Sequence, residues 1–266
     1  MKKVLTIAGS DCSGGAGIQA DLKTMTAHGI YGMSAITALT AQNTTGVKNV
    51  LEAGPDFVAE QLDCIFTDIR PDAVKIGMVS SAPIIRAIAE RLRFYGAAHI
   101  VLDPVMVSTS GSRLMAENAI DALKTELFPL AEIITPNLPE AEALSGLSIG
   151  NREDMLTAAE RVGQLLPGAV LLKGGHLQDS ADDLLWQNGR AQWFRAARVK
   201  NENNHGSGCT LSSAIACQLA LGQTLAEAVA RAKSYLTSAM EANLDLGVGS
   251  GPLNHCFAIR EGGEEA

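Results

Sequence analysis

Polar and apolar positions along the chain follow two alternating periods. Short apolar runs of strand length recur at 4–8, 34–40, 73–76, 100–102, 132–135 and 169–172. Between them lie longer stretches whose apolar residues stand three and four apart: Ile18, Leu22 and Met25 within 15–28, and Val58, Leu62 and Ile65 within 55–66. The same spacing continues through 82–95, 118–127 and 152–166. A short apolar run between turn residues fits a buried strand, and the wider spacing fits an amphipathic helix. Asn188-Gly189, between 184–187 and 191–196, signals a hairpin. Two closing helices follow at 209–220 and 225–242. Strands alternating with helices predict a mostly parallel sheet covered on both faces, an α/β fold. No linker or low-complexity block interrupts the pattern, so a single domain over 1–266 is expected, with a frayed acidic tail at 261–266.

Composition narrows the function classes. The 266 residues carry a net charge of -8 and 47% hydrophobic residues, enough for a packed core. The chain has no basic stripe to neutralise nucleic-acid phosphates. Five scattered cysteines form no CxxC pair, which predicts reduced thiols in a reducing compartment. The first apolar run ends at Ala8, short of the roughly 7–15 residues of a secretory core. No run approaches the ~20 residues of a membrane helix, so a cytoplasmic location is expected.

In open parallel sheets, ligands bind beyond the carboxyl ends of the strands. Polar and glycine residues collect there: Gly9-Ser10-Asp11, Gln42-Asn43, Gly77-Met78, Asp103-Pro104, Asn137, and Lys173-Gly174-Gly175. The loop from Gly9 to Gly17 contains a GxGxx[GA] match, Gly15 to Ala20. It starts too far from its strand for a dinucleotide fingerprint, and no acidic residue ends the next strand. No Walker A lysine occurs either. The loop reads as a connection or as a glycine-rich wall against which a flat ligand lies.

His205-Gly206-Ser207-Gly208-Cys209-Thr210 stands at a predicted helix start. Two readings remain open: an ordinary cap with a buried cysteine, or an anion hole formed by converging N–H groups and the helix dipole. Cys209, near the first helical position, is expected to have a lowered thiol pKa and to accept a proton. Asn137 and Glu140, three apart at another helix start, read either as a cap or as a water-mediated Mg²⁺ site. Lys173 reads as a phosphate ligand or as a surface lysine. His176 and His205 are expected to be structural.

Together these segments resemble the ribokinase superfamily, in particular the hydroxymethylpyrimidine/phosphomethylpyrimidine kinases of thiamine biosynthesis. Matching stretches include Thr6-Ile7-Ala8-Gly9-Ser10-Asp11, Thr37-Ala38-Leu39-Thr40-Ala41-Gln42-Asn43-Thr44, Lys75-Ile76-Gly77-Met78, Asp103-Pro104-Val105-Met106 and Thr135-Pro136-Asn137-Leu138-Pro139-Glu140. Leu172-Lys173-Gly174-Gly175-His176 and the segment 205–210 complete the order.

The resemblance implies a ribokinase-like three-layer α/β/α sandwich, a homodimer, and two MgATP-dependent phosphorylations of 4-amino-5-hydroxymethyl-2-methylpyrimidine. It implies that Gln42 binds the pyrimidine edge and that Gly9, Ala16, Asp21, Met78 and Val105 line the pocket. Cys209 would be the base of the first transfer, with the backbone of Gly206, Ser207, Gly208 and Cys209 around the phosphoryl group. Asp103, Asn137 and Glu140 would serve Mg²⁺ and its waters, and Lys173, Asn137 and Asp103 the ATP. Cys12, Asn204 and Ser207 depart from the family pattern, and 108–113, the expected flap, lacks a lysine. A pyridoxal kinase and a non-catalytic vitamer or nucleotide sensor are the alternatives.

Overall fold

The computed structural model describes residues 1–106, 117–175 and 181–259; the expected flap at 108–113, His176 and the tail 261–266 lie outside them. In chain order the elements are β1 (Lys3–Asp11), α1 (Gly17–Ala27), β2 (Tyr31–Asn43), β3 (Gly46–Glu52), α2 (Pro55–Asp68), β4 (Ala73–Ile76), α3 (Ala82–Phe94), β5 (Ile100–Leu102) and α4 (Glu117–Ala122). There follow β6 (Ile133–Ile134), α5 (Leu138–Ser145), α6 (Arg152–Gly163), β7 (Ala169–Leu172), β8 (Asp183–Gln187), β9 (Arg190–Phe194), α7 (Ser207–Ala220) and α8 (Leu225–Glu241). The strands form one sheet in the order β3-β2-β1-β4-β5-β6-β7-β8-β9. Its centre, β2 to β7, is parallel, and β3, β8 and β9 are antiparallel additions.

The pleat sends alternate residues to opposite layers. Leu5, Ile7, Val74, Ile76 and Leu102 pack with α2 and α3, whereas Val4, Ala73, Val101 and Leu171 pack with α1, α7 and α8. This is the expected α/β/α sandwich. The same alternation drives Thr6 and Lys75 into the second layer. There Lys75 is fully buried and pairs with Asp21 of α1, Nζ to Oδ2 at 2.8 Å. Asp21 also accepts from Thr6 Oγ1 (2.6 Å) and from Ser213 Oγ of α7 (2.7 Å). One carboxylate thus joins two strands and two helices.

Strand β3 was not expected, because its exposed, mixed sequence lacks alternation: five of its seven residues face solvent. The predicted helix over 118–127 is α4 followed by a wider π turn, Leu123–Leu127. Among the described residues no helix is long and apolar enough to cross a membrane.

Candidate functional site

The carboxyl ends of β1, β2, β4, β5, β6 and β7 open toward one side of the sheet, and the N-terminus of α7 faces them. Helix α7 begins at Ser207, so Cys209 is its third residue. Gly206 is its N-cap at φ 83°, a left-handed conformation open to glycine, and no side chain caps this end. A Cβ on Gly206 would overlap the carbonyl oxygen of Gly15, and one on Gly15 would overlap the His205 ring. Two segments from opposite ends of the chain therefore interlock through their glycines. Ser207 N–H returns to Asn204 O at 3.1 Å, and Thr210 N–H to Gly206 O at 2.8 Å. The N–H groups of Gly208 and Cys209 lie between them, in the first turn, where the helix dipole favours an anion.

Gly208 faces the charged groups. A Cβ there would lie 3.2 Å from Asp103 Oδ2 and 3.3 Å from Lys173 Nζ. Asp103 accepts from Lys173 Nζ and from Thr135 Oγ1, both at 2.9 Å and both on Oδ1, so Oδ2 is the oxygen turned to Gly208. Burial alone would lower the Lys173 ammonium, but Asp103 and Glu140 hold it above its usual range. Asn137 and Glu140 form a capping box on α5: Asn137 N–H donates to Glu140 Oε2 (2.8 Å) and Glu140 N–H to Asn137 Oδ1 (2.9 Å). Burial pushes the Glu140 carboxyl up to about 7, with Asp103 adding to the rise and Lys173 opposing it.

Asp103 and Glu140 are hard oxygen donors, and a buried carboxyl raised this far is relieved by a nearby cation, so the pair fits Mg²⁺. Among the described residues no three His, Cys, Asp or Glu side chains form a metal cage. A magnesium ion here would keep much of its water.

The expectation of a lowered Cys209 pKa is overturned. Burial pushes the thiol up to about 11; Lys75 and the Gly17 N–H pull it down, and Asp21 and Asp103 push it further up. The helix-dipole contribution is outweighed by burial, to which the carboxylates of Asp21 and Asp103 add. Lys75 pulls the thiol down, but its charge is already matched by Asp21.

Beside the start of α7 a cavity of about 340 Å³ is lined by Gln42, Asn43, Thr44, Thr45, His205, Gly249 and Ser250. Gln42 is the one expected pocket residue on this wall. Met78 packs over Gly9, and Val105 is folded back by a Val105 N–H to Asp103 O bond of 2.8 Å. Half-buried Ala16 belongs to the loop that Asp11 organises. Asp21 has no exposed surface. It therefore stands behind the wall rather than lining it, because its oxygens are occupied by Lys75, Thr6 and Ser213.

A sequence profile described as phosphomethylpyrimidine kinase matches residues 11–254. The chain belongs to this kinase family. It is 46% identical to a hydroxymethylpyrimidine/phosphomethylpyrimidine kinase of Streptomyces coelicolor, over 97% of this chain and 96% of the relative. It is 51% identical to a thiamine biosynthesis bifunctional protein of Geobacter sulfurreducens, over 97% of this chain but only 53% of that protein, so it spans about half of that relative's length. Among solved structures, the phosphomethylpyrimidine kinase of Clostridium difficile is 49% identical, with a TM-score of 0.80 over 89% of this chain and 98% of that one. An ADP complex of Bacillus subtilis pyridoxal kinase is 36% identical, with a TM-score of 0.89 over 97% of this chain and 98% of that one.

Within the candidate site, three residues, Lys75, Asp11 and His205, were given no site role by sequence reasoning. Lys75 was legible as the one charge in a four-residue apolar strand. Asp11 and His205 were not. Asp11 accepts from the backbone of Ser13, Gly15 and Ala16, from Ser13 Oγ and from His205, contacts that exist only once the loop is folded.

Proposed function

We propose that the chain is an ATP-dependent kinase that phosphorylates the hydroxymethyl group of 4-amino-5-hydroxymethyl-2-methylpyrimidine and then extends the monophosphate to the diphosphate. The observation that carries this reading is the convergence of Gly208, Lys173 Nζ and Asp103 Oδ2 at the start of α7. Phosphoryl transfer needs alignment and charge neutralisation more than covalent help. The Gly208 and Cys209 N–H groups meet the transferring phosphoryl, and Lys173 meets the ATP phosphates. Bound Mg²⁺, held through water by Asp103 and Glu140, adds charge neutralisation at the same phosphates. Gln42 holds the ring, with Gly9, Met78 and Val105 around it.

In the first transfer an alcohol oxygen attacks the γ-phosphorus as the bond to the departing ADP breaks, and the alcohol proton passes to the thiolate form of Cys209, the minor form for a thiol raised to about 11. In the second, the nucleophile is a phosphate oxygen already ionised, and no base is needed. Cys209→Ala should therefore slow the alcohol step by roughly 10²–10⁴-fold, the usual worth of a general base, and leave the monophosphate step nearly intact. Equal losses on both substrates would remove the base assignment. With a thiol near 11, the alcohol step should still be accelerating across pH 6–9. The monophosphate step should level off once its phosphate, with a second pKa of about 6, is ionised. The deciding assay is ATP turnover on the pyrimidine alcohol, with mono- and diphosphate separated.

The likeness to pyridoxal kinases supports a second reading, since the overall shape does not separate the two activities. Pyridoxal assayed beside the pyrimidine decides between them. A single continuous nine-stranded sheet supports one domain, and five unpaired cysteines support the cytoplasm. Homodimerisation is supported by Leu39 and Leu51, cross-strand partners that are 50% and 67% exposed on β2 and β3.

A further inference from the structure

His205 is buried, yet its Nε2 meets two groups at once. Asp11 Oδ2 lies 2.9 Å away, and so does the carboxamide of Gln42 through its Nε2 position. The imidazole edge is held from the other side by Gly15, which has no side chain to displace it. Asp11 is a carboxylate in this setting. Burial would raise it, but His205, Ser13 and Ala16 donate to it and hold it well below the usual range. An ionised carboxylate cannot donate, so Nε2 must carry the hydrogen in the contact with Asp11. A ring nitrogen that carries a hydrogen cannot accept one from an amide NH₂. The carboxamide therefore presents its oxygen to His205 and shares the single Nε2–H with Asp11 Oδ2, since hydrogen bonding rather than shape sets which way an amide points.

The other end of the amide agrees. Thr40 Oγ1, 3.2 Å from the carboxamide, already donates to Ser10 O at 2.9 Å. Its lone pairs are thus available to accept from the NH₂ group. The Gln42 backbone is fixed independently: Cys12 Sγ donates to Gln42 O at 3.1 Å, and Gln42 N–H donates to the same sulfur at 3.3 Å. The backbone and both ends of the carboxamide are therefore mounted, and one amide N–H remains unassigned. His205 and Gln42 both line the cavity of about 340 Å³.

We infer that His205, held by Asp11, is a positioning residue that fixes the Gln42 carboxamide with its oxygen toward the imidazole and an N–H toward the ligand. The ligand group that meets Gln42 is then a lone-pair acceptor, such as an aromatic ring nitrogen. An amide free to rotate would accept rings that present a donor instead. The inference deepens the proposed substrate assignment and rests on it for the identity of the ring.

The test has two independent arms. Nitrogen-15 NMR of the free protein should show Nε2 of His205 protonated, and an unprotonated Nε2 would overturn the inference whatever the substrate is. In the kinetic arm, His205→Phe keeps a ring over Gly15 and removes the donor. KM for the pyrimidine alcohol should rise about tenfold, the worth of one misaligned hydrogen bond, with kcat changed less than about threefold. His205→Gln, whose amide reaches the same position, should restore KM.

The double variant Gln42→Ala/His205→Phe should be no worse than Gln42→Ala alone, whereas additive losses would reduce His205 to a packing role and overturn the inference. The wild type should reject a ring analogue bearing C–H in place of the acceptor nitrogen, and His205→Phe should not. Absence of any phosphorylation of the pyrimidine by the wild type would instead remove the substrate assignment, leaving the NMR result to stand by itself.

Discussion

The buried Asp21–Lys75 pair shows how one residue type overrides the pattern around it. Lys75 lies in a strand that is otherwise apolar, and the pleat gives its side chain nowhere to go but the α1–α7 layer. Burial alone would lower its pKa; Asp21, with smaller help from Cys209 and Asp103, holds it above its usual range. Removing one partner strands the other charge. Asp21→Ala is expected to cost about 3–5 kcal/mol of stability, read as a fall in the denaturant midpoint at unchanged m-value.

Glu140 makes the opposite case. Its folded pKa of about 7 lies above the ordinary carboxyl value of 4.5, so the folded state retains a proton that the unfolded chain releases. Its contribution is complete below pH 4.5 and is lost as pH rises through 7. Glu140→Gln, which keeps the capping box, should flatten that part of the stability–pH curve in melts taken between pH 4.5 and 8.

At the scale of elements, the start of α7 is the sensitive place. Gly206→Ala would place a methyl against Gly15 O in a left-handed conformation that costs a non-glycine residue roughly 1–3 kcal/mol. Both transfers should collapse together, unlike the selective loss expected for Cys209→Ala; two-substrate assays separate the cases. This element also shows what was legible. The runs at 73–76, 100–102 and 169–172 gave β4, β5 and β7 to the residue, because buried parallel strands are continuous apolar runs bounded by turn residues.

The strand ends pointed to the candidate site for the same reason: Asp103 and Lys173 follow two of those runs directly, and Asn137 stands two residues beyond the run at 132–135. The pKa of Cys209 was not legible. Helix position is local, but the burial and the two carboxylates that raise it come from elsewhere in the fold, Asp21 from α1 and Asp103 from just after β5. β3 escaped because an exposed edge strand has no face to bury, and so no period to show.

For the whole molecule, β3 forms one edge of the nine-stranded sheet and displays Leu51 beside Leu39 of β2. An open edge with an apolar pair is a liability unless something covers it. Leu51→Asp should convert the proposed dimer to monomer in sedimentation velocity while leaving the melting temperature of the subunit little changed. Unchanged mass would remove the interface.

The contact between Gly15 and Gly206 has a temporal meaning as well. The turn proposed to bind phosphate is completed by two segments separated by most of the chain, one near the beginning and one in the last quarter. A ribosome that has delivered β1, α1 and all the strands has still not delivered α7. Until it does, the nascent polypeptide contains the loop around Asp11 and the charges at Asp103 and Lys173, but no N–H pair to receive a phosphoryl group. A pulse of synthesis should produce activity only as full-length product accumulates, with no contribution from chains arrested before Ser207.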